Sequence, residues 1–180
     1  MTSSTGRDGA ARVLVADDDQ QLCESLKLLL QERQYDVRTA PDGRRCLEVI
    51  KEYMPDVLVL DLAMPHLDGF GVLQEMEVLE FDGQLPDVIV LTGHGGISDG
   101  ARAIKSGAIG FLTKPARNIE LLTLISRAVA GRRALDQKRA VFTDSKKHWE
   151  CVVSCHRENI RHVVNQIAAE IEAFGLILPK

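Results

Sequence analysis

Residues 57–69, VLVLDLAMPHLDG, give the clearest indication of how this chain folds. Four apolar residues run without interruption into Asp61, and the loop that follows holds Pro65 and the pair Asp68-Gly69. A continuous valine and leucine run bounded by turn residues is typical of a strand buried on both faces, as in a parallel sheet. Asp61 therefore falls at the carboxyl end of a central strand, where open α/β sheets place their ligands. An aspartate there can also be a cap or a turn residue, so a chemical role needs support from elsewhere in the chain.

Strands and helices alternate strictly around this stretch. Leucines recur at helical spacing from Leu22 and predict a helix to about Gln34, and similar spacings predict helices that end near Tyr53 and Glu80. A short helix lies between residues 101 and 108, and another begins near Asn118. The other strands are predicted at residues 12–16, 35–40, 86–91 and 109–113. Such alternation implies right-handed βαβ units, so we predict a doubly wound α/β domain with a five-stranded parallel sheet.

Length and composition exclude several classes of protein. The chain has 180 residues, of which 45% are hydrophobic, enough for one domain and an appendage. No apolar run approaches the roughly 18 residues of a membrane span. Residues 1–10 are polar, lack a signal peptide's apolar region, and are predicted to be a disordered leader. The four cysteines form no C-x-x-C pair and indicate reduced thiols in the cytoplasm: Cys23, Cys46, Cys151 and Cys155.

Charge is spread unevenly along the chain. The net charge is −4, from 26 acidic and 22 basic residues. Residues 1–115 hold 19 acidic and 11 basic residues, a balance of −8, and residues 116–180 hold 7 and 11, a balance of +4. An acidic front part and a basic back part indicate two different roles.

Four of the five predicted strands end in polar residues, which a parallel sheet brings to one edge. They are Asp17 with Asp18, Asp61, Thr92 and Lys114. Three converging carboxylates repel one another and need either a cation or raised pKa values, and oxygen ligands of this kind suit Mg²⁺. A carboxylate nucleophile, a hard metal ion, a lysine and a hydroxyl together indicate a site that accepts a phosphoryl group.

Over residues 11–131 the chain resembles the receiver domains of two-component response regulators. The resemblance rests on four segments in order: VLVADD at 13–18, Asp61 with Met64-Pro65 and Asp68-Gly69, LTG at 91–93, and GAIGFLTKP at 107–115. It implies a flavodoxin-like sheet of order 2-1-3-4-5, which agrees with the alternation above. It also implies a histidine kinase or a histidine phosphotransfer protein as the phosphoryl donor.

The resemblance further implies a role for each site residue. Asp61 would be the phosphoacceptor, and Thr92 and Lys114 would hold the phosphoryl group. Asp18 would bind Mg²⁺ directly and Asp17 through water. Two further roles carry over by position: the backbone carbonyl of Ala63 would complete the metal site, and Phe111 would be the aromatic switch residue. Family members often have a cis peptide before the proline at position 115, which the sequence does not reveal.

Several neighbouring residues have simpler interpretations. We expect Asp19 to cap the first helix and Asp68 to serve the turn. Phe111 could simply fill the core. His66 and His94 lie near the site, but two histidines without a third ligand do not predict zinc. No nucleotide-binding or other enzyme motif is present, so we do not expect a fused enzyme domain. The resemblance implies a phosphoacceptor that assists its own phosphorylation and dephosphorylation.

Residues 132–180 are predicted to be a helical extension. The fifth helix runs on past Gly131 to about Gln137, and residues 143–145 form a break with good capping residues. Beyond it, apolar residues follow spacings of three and four, close to a heptad repeat. We name this set the C-terminal seam: Trp149, Val153, His156, Ile160, Val163, Ile167, Ile171 and Phe174. It favours a homodimer through residues 145–175 or binding to a partner's helices, and the alternative is a helix folded back on its own domain.

Two other functions are open for the extension. A basic stretch around the predicted break favours nucleic-acid binding, although it lacks interleaved aromatic residues and a clear helix-turn-helix. Its members are Arg127, Arg132, Arg133, Lys138, Arg139, Lys146 and Lys147. A phosphotransfer bundle would use His148, His156 or His162, but the flanking pattern of such domains is missing. We therefore expect a phosphorylation-switched regulator of protein–protein interaction or dimerisation, with phosphorylation-controlled nucleic-acid binding as the alternative.

Overall fold

The computed structural model describes residues 9–78, 85–93 and 96–155, with the backbone alone for residue 97 and residues 138–155. Five strands alternate with five helices along these residues: β1 Arg12–Ala16, α1 Gln20–Gln31, β2 Asp36–Ala40, α2 Gly43–Tyr53, β3 Val57–Leu60, α3 Gly69–Val78, β4 Asp87–Thr92, α4 Ile97–Lys105, β5 Ala108–Thr113 and α5 Asn118–Cys155. All neighbouring strands are parallel, in the order β2-β1-β3-β4-β5. The predicted flavodoxin-like fold and its strand order are confirmed.

Most predicted boundaries lie within a few residues of the observed ones. Helix α1 ends at Gln31 rather than near Gln34, because Gln34 has a φ of 63° and the Tyr35 N–H bonds back to the Leu30 carbonyl. A residue in the left-handed region after the last turn is a common way to end a helix. Strand β4 begins and ends one residue later than predicted. The predicted end of α3, near Glu80, lies outside the described residues.

The core has two layers, one on each face of the sheet, because successive residues of a strand point to opposite faces. Leu14, Leu58 and Val90 belong to the layer that packs against α2 and α3. Val15 and Val59 belong to the other layer, which includes side chains of α1 and α5: Cys23, Leu26, Leu30, Leu121, Leu122, Ile125, Ala128 and Val129. Both faces of β3 are therefore covered, which explains its uninterrupted run of valine and leucine.

Helix α5 runs without a break from Asn118 to Cys155, so the break predicted at residues 143–145 is wrong. Threonine, aspartate and serine are good caps, but inside a helix each is less favourable than alanine by at most about 0.7 kcal/mol. Three such residues do not outweigh the helix-forming residues around them. The chain divides into two compact units, Met1–Ala134 and Leu135–Lys180.

The domain boundaries proposed at residues 10 and 131 stay predictions. Residues 1–8 of the leader lie outside the described residues, as does the C-terminal seam beyond Cys155. Within the part of the chain that the structure describes, no helix has the length and apolar character of a membrane span.

Candidate phosphoacceptor site

The sheet fixes the backbone of every strand end at the site. Hydrogen bonds between neighbouring strands continue one residue past the strands themselves. The Asp17 N–H donates to the Ala40 carbonyl at 3.0 Å, and the Asp61 N–H donates to the Ala16 carbonyl at 2.9 Å. At the other side of the site, the Lys114 N–H donates to the Thr92 carbonyl at 2.8 Å. The side chains of Asp17, Asp61 and Lys114 therefore start from backbone that the sheet holds in place.

Lys114 joins the two buried carboxylates. Its Nζ lies 2.5 Å from Asp17 Oδ2 and 3.0 Å from Asp61 Oδ2. Asp17 is 3% exposed and Asp61 is 5% exposed, whereas 22% of the Lys114 side chain remains accessible. Because ammonium is a compact charge on a flexible stem, Lys114 can neutralise either carboxylate and still reach a group placed at the surface.

Asp17, Asp18 and Asp61 form an acidic cluster that fits a metal ion. One carboxylate oxygen from each residue lies within 4.8 Å of the others, and Asp18 is exposed to solvent. Carboxylate oxygens with solvent access are the ligands that hard divalent cations such as Mg²⁺ prefer. The donor set and its placement therefore fit a divalent cation, as the sequence predicted.

The surroundings of these groups shift their pKa values. Burial raises the pKa of Asp17, and the hydrogen bonds from Lys114 and from the Asp19 N–H only partly offset this. Burial alone would lower the pKa of Lys114, but its hydrogen bonds to Asp17 and Asp61 together outweigh that effect and raise it. Lys114 is therefore a firmly protonated cation. Asp17 is a carboxylate that one lysine does not fully compensate, and a divalent ion would supply the missing positive charge.

The remaining predicted site residues lie on the same edge of the sheet or near it. Thr92 is fully buried at the end of β4, in register with Thr113 of β5. Phe111 is half-buried on β5, in register with Val90. Its side chain packs against the core layer that faces α2 and α3. Ala63 is exposed in the loop after β3, and its N–H donates to Asp61 Oδ1 at 3.4 Å. The structure thus places the predicted residues at or near one edge of the sheet, and their roles stay predictions.

The simpler interpretations of two acidic neighbours are confirmed. Asp19 caps α1, because its Oδ1 accepts hydrogen bonds from the backbone N–H groups of Gln21 and Leu22 at 2.9 and 3.0 Å. Asp68 Oδ1 accepts from the Gly71 N–H at 2.7 Å, at the start of α3. The peptide bond between Lys114 and Pro115 is cis.

Gly69 has a structural role that the sequence analysis missed. A Cβ at this position would lie 2.3 Å from the Asp61 carbonyl oxygen and 2.8 Å from the Leu62 Cα, both backbone atoms. The Gly69 N–H also donates to the Leu62 carbonyl at 3.0 Å. Only glycine allows α3 to begin this close to the phosphoacceptor's own backbone. The Asp68-Gly69 pair signalled a turn, but a pair of turn residues does not reveal what the turn packs against.

Comparison with known proteins agrees with the geometry of the site. The family model for the response regulator receiver domain matches residues 13–126. The chain is 38% identical over 131 residues to the response regulator MprA of Mycobacterium ulcerans, covering 73% of this chain and 55% of MprA. It is 31% identical over 134 residues to the transcriptional regulatory protein ZraR of Escherichia coli K12, covering 74% of this chain and 30% of ZraR.

Solved structures give the same result. The receiver domain of a LuxO repressor protein from Vibrio parahaemolyticus superposes with a TM-score of 0.64 at 27% identity, covering 71% of this chain and 95% of that one. A receiver domain protein from Clostridium thermocellum superposes with a TM-score of 0.62 at 31% identity, covering 69% and 98%.

A parallel 2-1-3-4-5 sheet with an acidic cluster and a lysine at its carboxyl edge defines a receiver, and the chain belongs to the response regulator receiver domain family. Residues 13–126 are thus the receiver domain of a two-component response regulator. The chain spans about half the length of MprA and under a third of ZraR, so the match concerns the receiver part of those proteins.

Proposed function

We propose that Asp61 accepts a phosphoryl group from a phosphohistidine in the presence of Mg²⁺, and that this switches a protein–protein interaction or the dimer state of the chain. The proposal rests on the groups that surround the Asp61 carboxylate. Its buried carboxylate ends a central strand, has Lys114 Nζ at 3.0 Å, and shares an acidic cluster with Asp17 and Asp18. The donor is a histidine kinase or a histidine phosphotransfer protein, and we place the reaction in the cytoplasm.

The transfer needs little covalent chemistry from the protein. A carboxylate oxygen of Asp61 attacks phosphorus while the phosphorus–nitrogen bond to the donor histidine breaks, and the electron pair returns to the imidazole nitrogen. Lys114 already lies beside Asp61, so its ammonium can follow the charge onto the phosphoryl oxygens with a small movement. Asp17, Asp18, Asp61 and the Ala63 carbonyl would hold Mg²⁺, which supplies charge neutralisation at those oxygens when bound.

The added charge then drives the switch. A phosphoryl group adds acceptor oxygens that need donors, and the Thr92 hydroxyl on the neighbouring strand is a candidate. We propose that Thr92 turns toward the phosphoryl group and that Phe111 packs inward. Thr92 pairs with Thr113 in the parallel register, which places Phe111 two residues from that pair on the same face of the sheet. A movement of Thr92 therefore changes the space available to the Phe111 ring.

Phosphorylation in solution tests the proposal. The chain is incubated with acetyl phosphate and Mg²⁺, and the acyl phosphate is trapped with borohydride and located by mass spectrometry. We expect label on Asp61 in the wild type, no label in Asp61→Asn, and no label when a chelator removes Mg²⁺. Asp68→Asn is the matched control, because Asp68 is an exposed aspartate of the same loop that caps α3. Undiminished label in Asp61→Asn would contradict the proposal.

A further inference from the structure

Gly100 in α4 lies directly against the Phe111 ring. A Cβ built on Gly100 would lie 3.3 Å from Phe111 Cδ1 and 3.5 Å from both Cε1 and Cγ. One edge of the ring thus occupies the space that a side chain at position 100 would need. The first of these distances is tighter than most contacts of real Cβ atoms, so an alanine here would require the ring to move by a few tenths of an ångström.

Glycine is otherwise unfavourable inside a helix such as the nine-residue α4. The chain contains a glycine that shows the difference. Gly131 lies inside α5, and a Cβ at that position would meet nothing within 4 Å. Both positions are glycines inside a helix, but of the two only Gly100 contacts an aromatic side chain.

We propose that Gly100 is a positioning residue for phosphorylation switching. Its missing side chain gives the Phe111 ring a place against α4, and this place stabilises the conformation with the lower affinity for a phosphoryl group. The proposal rests on the proposed function of Asp61, and it adds the residue that sets the balance between the two conformations.

The sheet register supports the link to the site. Phe111 and Thr92 side chains lie on the same face of neighbouring strands, two residues apart. Once Thr92 turns toward a phosphoryl group, the ring gains room on the strand side and can leave Gly100. We expect an alanine at position 100 to penalise the ring's observed place more than the inward place. The equilibrium then shifts inward, and the affinity for a phosphoryl group rises in proportion to the inward fraction.

The experiment uses beryllofluoride, a phosphoryl mimic, with Mg²⁺ and the full chain labelled with fluorophenylalanine. Fluorine NMR reports bound beryllofluoride and the Phe111 ring, whose signal is assigned from its loss in Phe111→Leu. The variants are Gly100→Ala, Gly131→Ala, Phe111→Leu, the double change Gly100→Ala with Phe111→Leu, and Asp61→Asn. In Gly100→Ala we expect a displaced ring signal before ligand is added and affinity tighter by about fivefold, at the lower end of couplings between sites.

Three comparisons decide the outcome. Gly131→Ala gives the same helix-favouring change without the contact and should leave the affinity at the wild-type value. In the Phe111→Leu background, Gly100→Ala should also have no effect, because the ring through which it acts is gone. Unchanged or weaker affinity in Gly100→Ala, or a gain that persists without Phe111, would overturn the proposal. Failure of the proposed function looks different: beryllofluoride would bind neither the wild type nor any variant, or it would still bind Asp61→Asn.

Discussion

The guanidinium of Arg132 should hold α5 to the sheet at the edge opposite the phosphoacceptor. Arg132 is 4% exposed, and its Nη1 donates to the Leu85 carbonyl at 2.7 Å. Nη1 also lies 3.5 Å from Asp87 Oδ1, and Arg132 Nε lies 3.9 Å from Asp56 Oδ1. Asp56 directly precedes β3, Leu85 lies two residues before β4, and Asp87 is the first residue of β4. Arg132→Met keeps the apolar stem and removes all of these polar contacts.

The structure sets the size of the expected loss. Breaking a buried ion pair by removing one partner costs about 3–5 kcal/mol. Here the carboxylates are 15% and 32% exposed and the ion-pair distances are long, so water compensates for part of the loss. We therefore expect Arg132→Met to lower the free energy of unfolding by roughly 2–3 kcal/mol, mostly from the charged hydrogen bond to Leu85. At roughly 3 °C per kcal/mol, the Tm falls by about 6–9 °C.

The pH dependence has a definite sign. Burial raises the pKa of Asp87 above its ordinary value of 3.8, and Arg132 partly lowers it again. A carboxyl group whose folded pKa is raised stabilises the fold when protonated, and this stability is lost as the pH rises through the folded pKa. Without Arg132 the pKa of Asp87 rises further, so the deficit of Arg132→Met should be larger at pH 7 than near pH 4.

Thermal unfolding followed by circular dichroism at both pH values checks the prediction. Arg133→Met is the matched control, because Arg133 is the next residue of the same helix and is exposed. It should change the Tm by no more than about 1–2 °C. Equal Tm values for the two variants would contradict the prediction from burial. A deficit that does not depend on pH would refute the part that concerns Asp87.

Three further predictions concern other parts of the chain. Thr92→Ala should still be phosphorylated by acetyl phosphate, and the Phe111 fluorine signal should no longer respond; a normal response would exclude Thr92 from the switch. Gly69→Ala should destabilise by about 1–3 kcal/mol through its clash with the Asp61 backbone, whereas Gly131→Ala should stabilise, as measured by urea unfolding. The full chain should sediment as a dimer, and a version that ends at Arg139 should sediment as a monomer, since the latter lacks the C-terminal seam; a monomeric full chain at tens of micromolar would contradict this.

The sequence predicted the fold well because its signals are local and repeated. The uninterrupted apolar run before Asp61 indicated a strand covered on both faces, and the sheet shows two core layers. The edge to which Asp17, Asp61 and Lys114 converge followed from parallel strands alone. The break at residues 143–145 was wrong because capping preference says where a helix can begin, not whether the preceding helix must end.

Contacts between distant segments could not be predicted in the same way. Gly69 against the Asp61 backbone, Gly100 against Phe111 and Arg132 against Leu85 each join residues whose spacing in the chain has no regular period. Hydrophobic periodicity reports which face of an element is buried, but not which neighbour fills a particular gap. Arg132 belongs to the basic stretch that favoured nucleic-acid binding, and only the three-dimensional packing shows its side chain to be buried.

The position of Arg132 has a practical consequence for building sensors. Arg132 is the last buried side chain of α5 among those described, and the side chains of residues 133–137 are exposed. Its partners lie at the amino-terminal edge of the sheet, away from the loops that handle the phosphoryl group. A reporter domain could therefore be joined after Ala134, where the first compact unit ends, without altering the chemistry at Asp61. Fusions that cut α5 before Arg132 would remove the contact that holds α5 to the sheet. The reporter would then be joined to a helix that this contact no longer fixes.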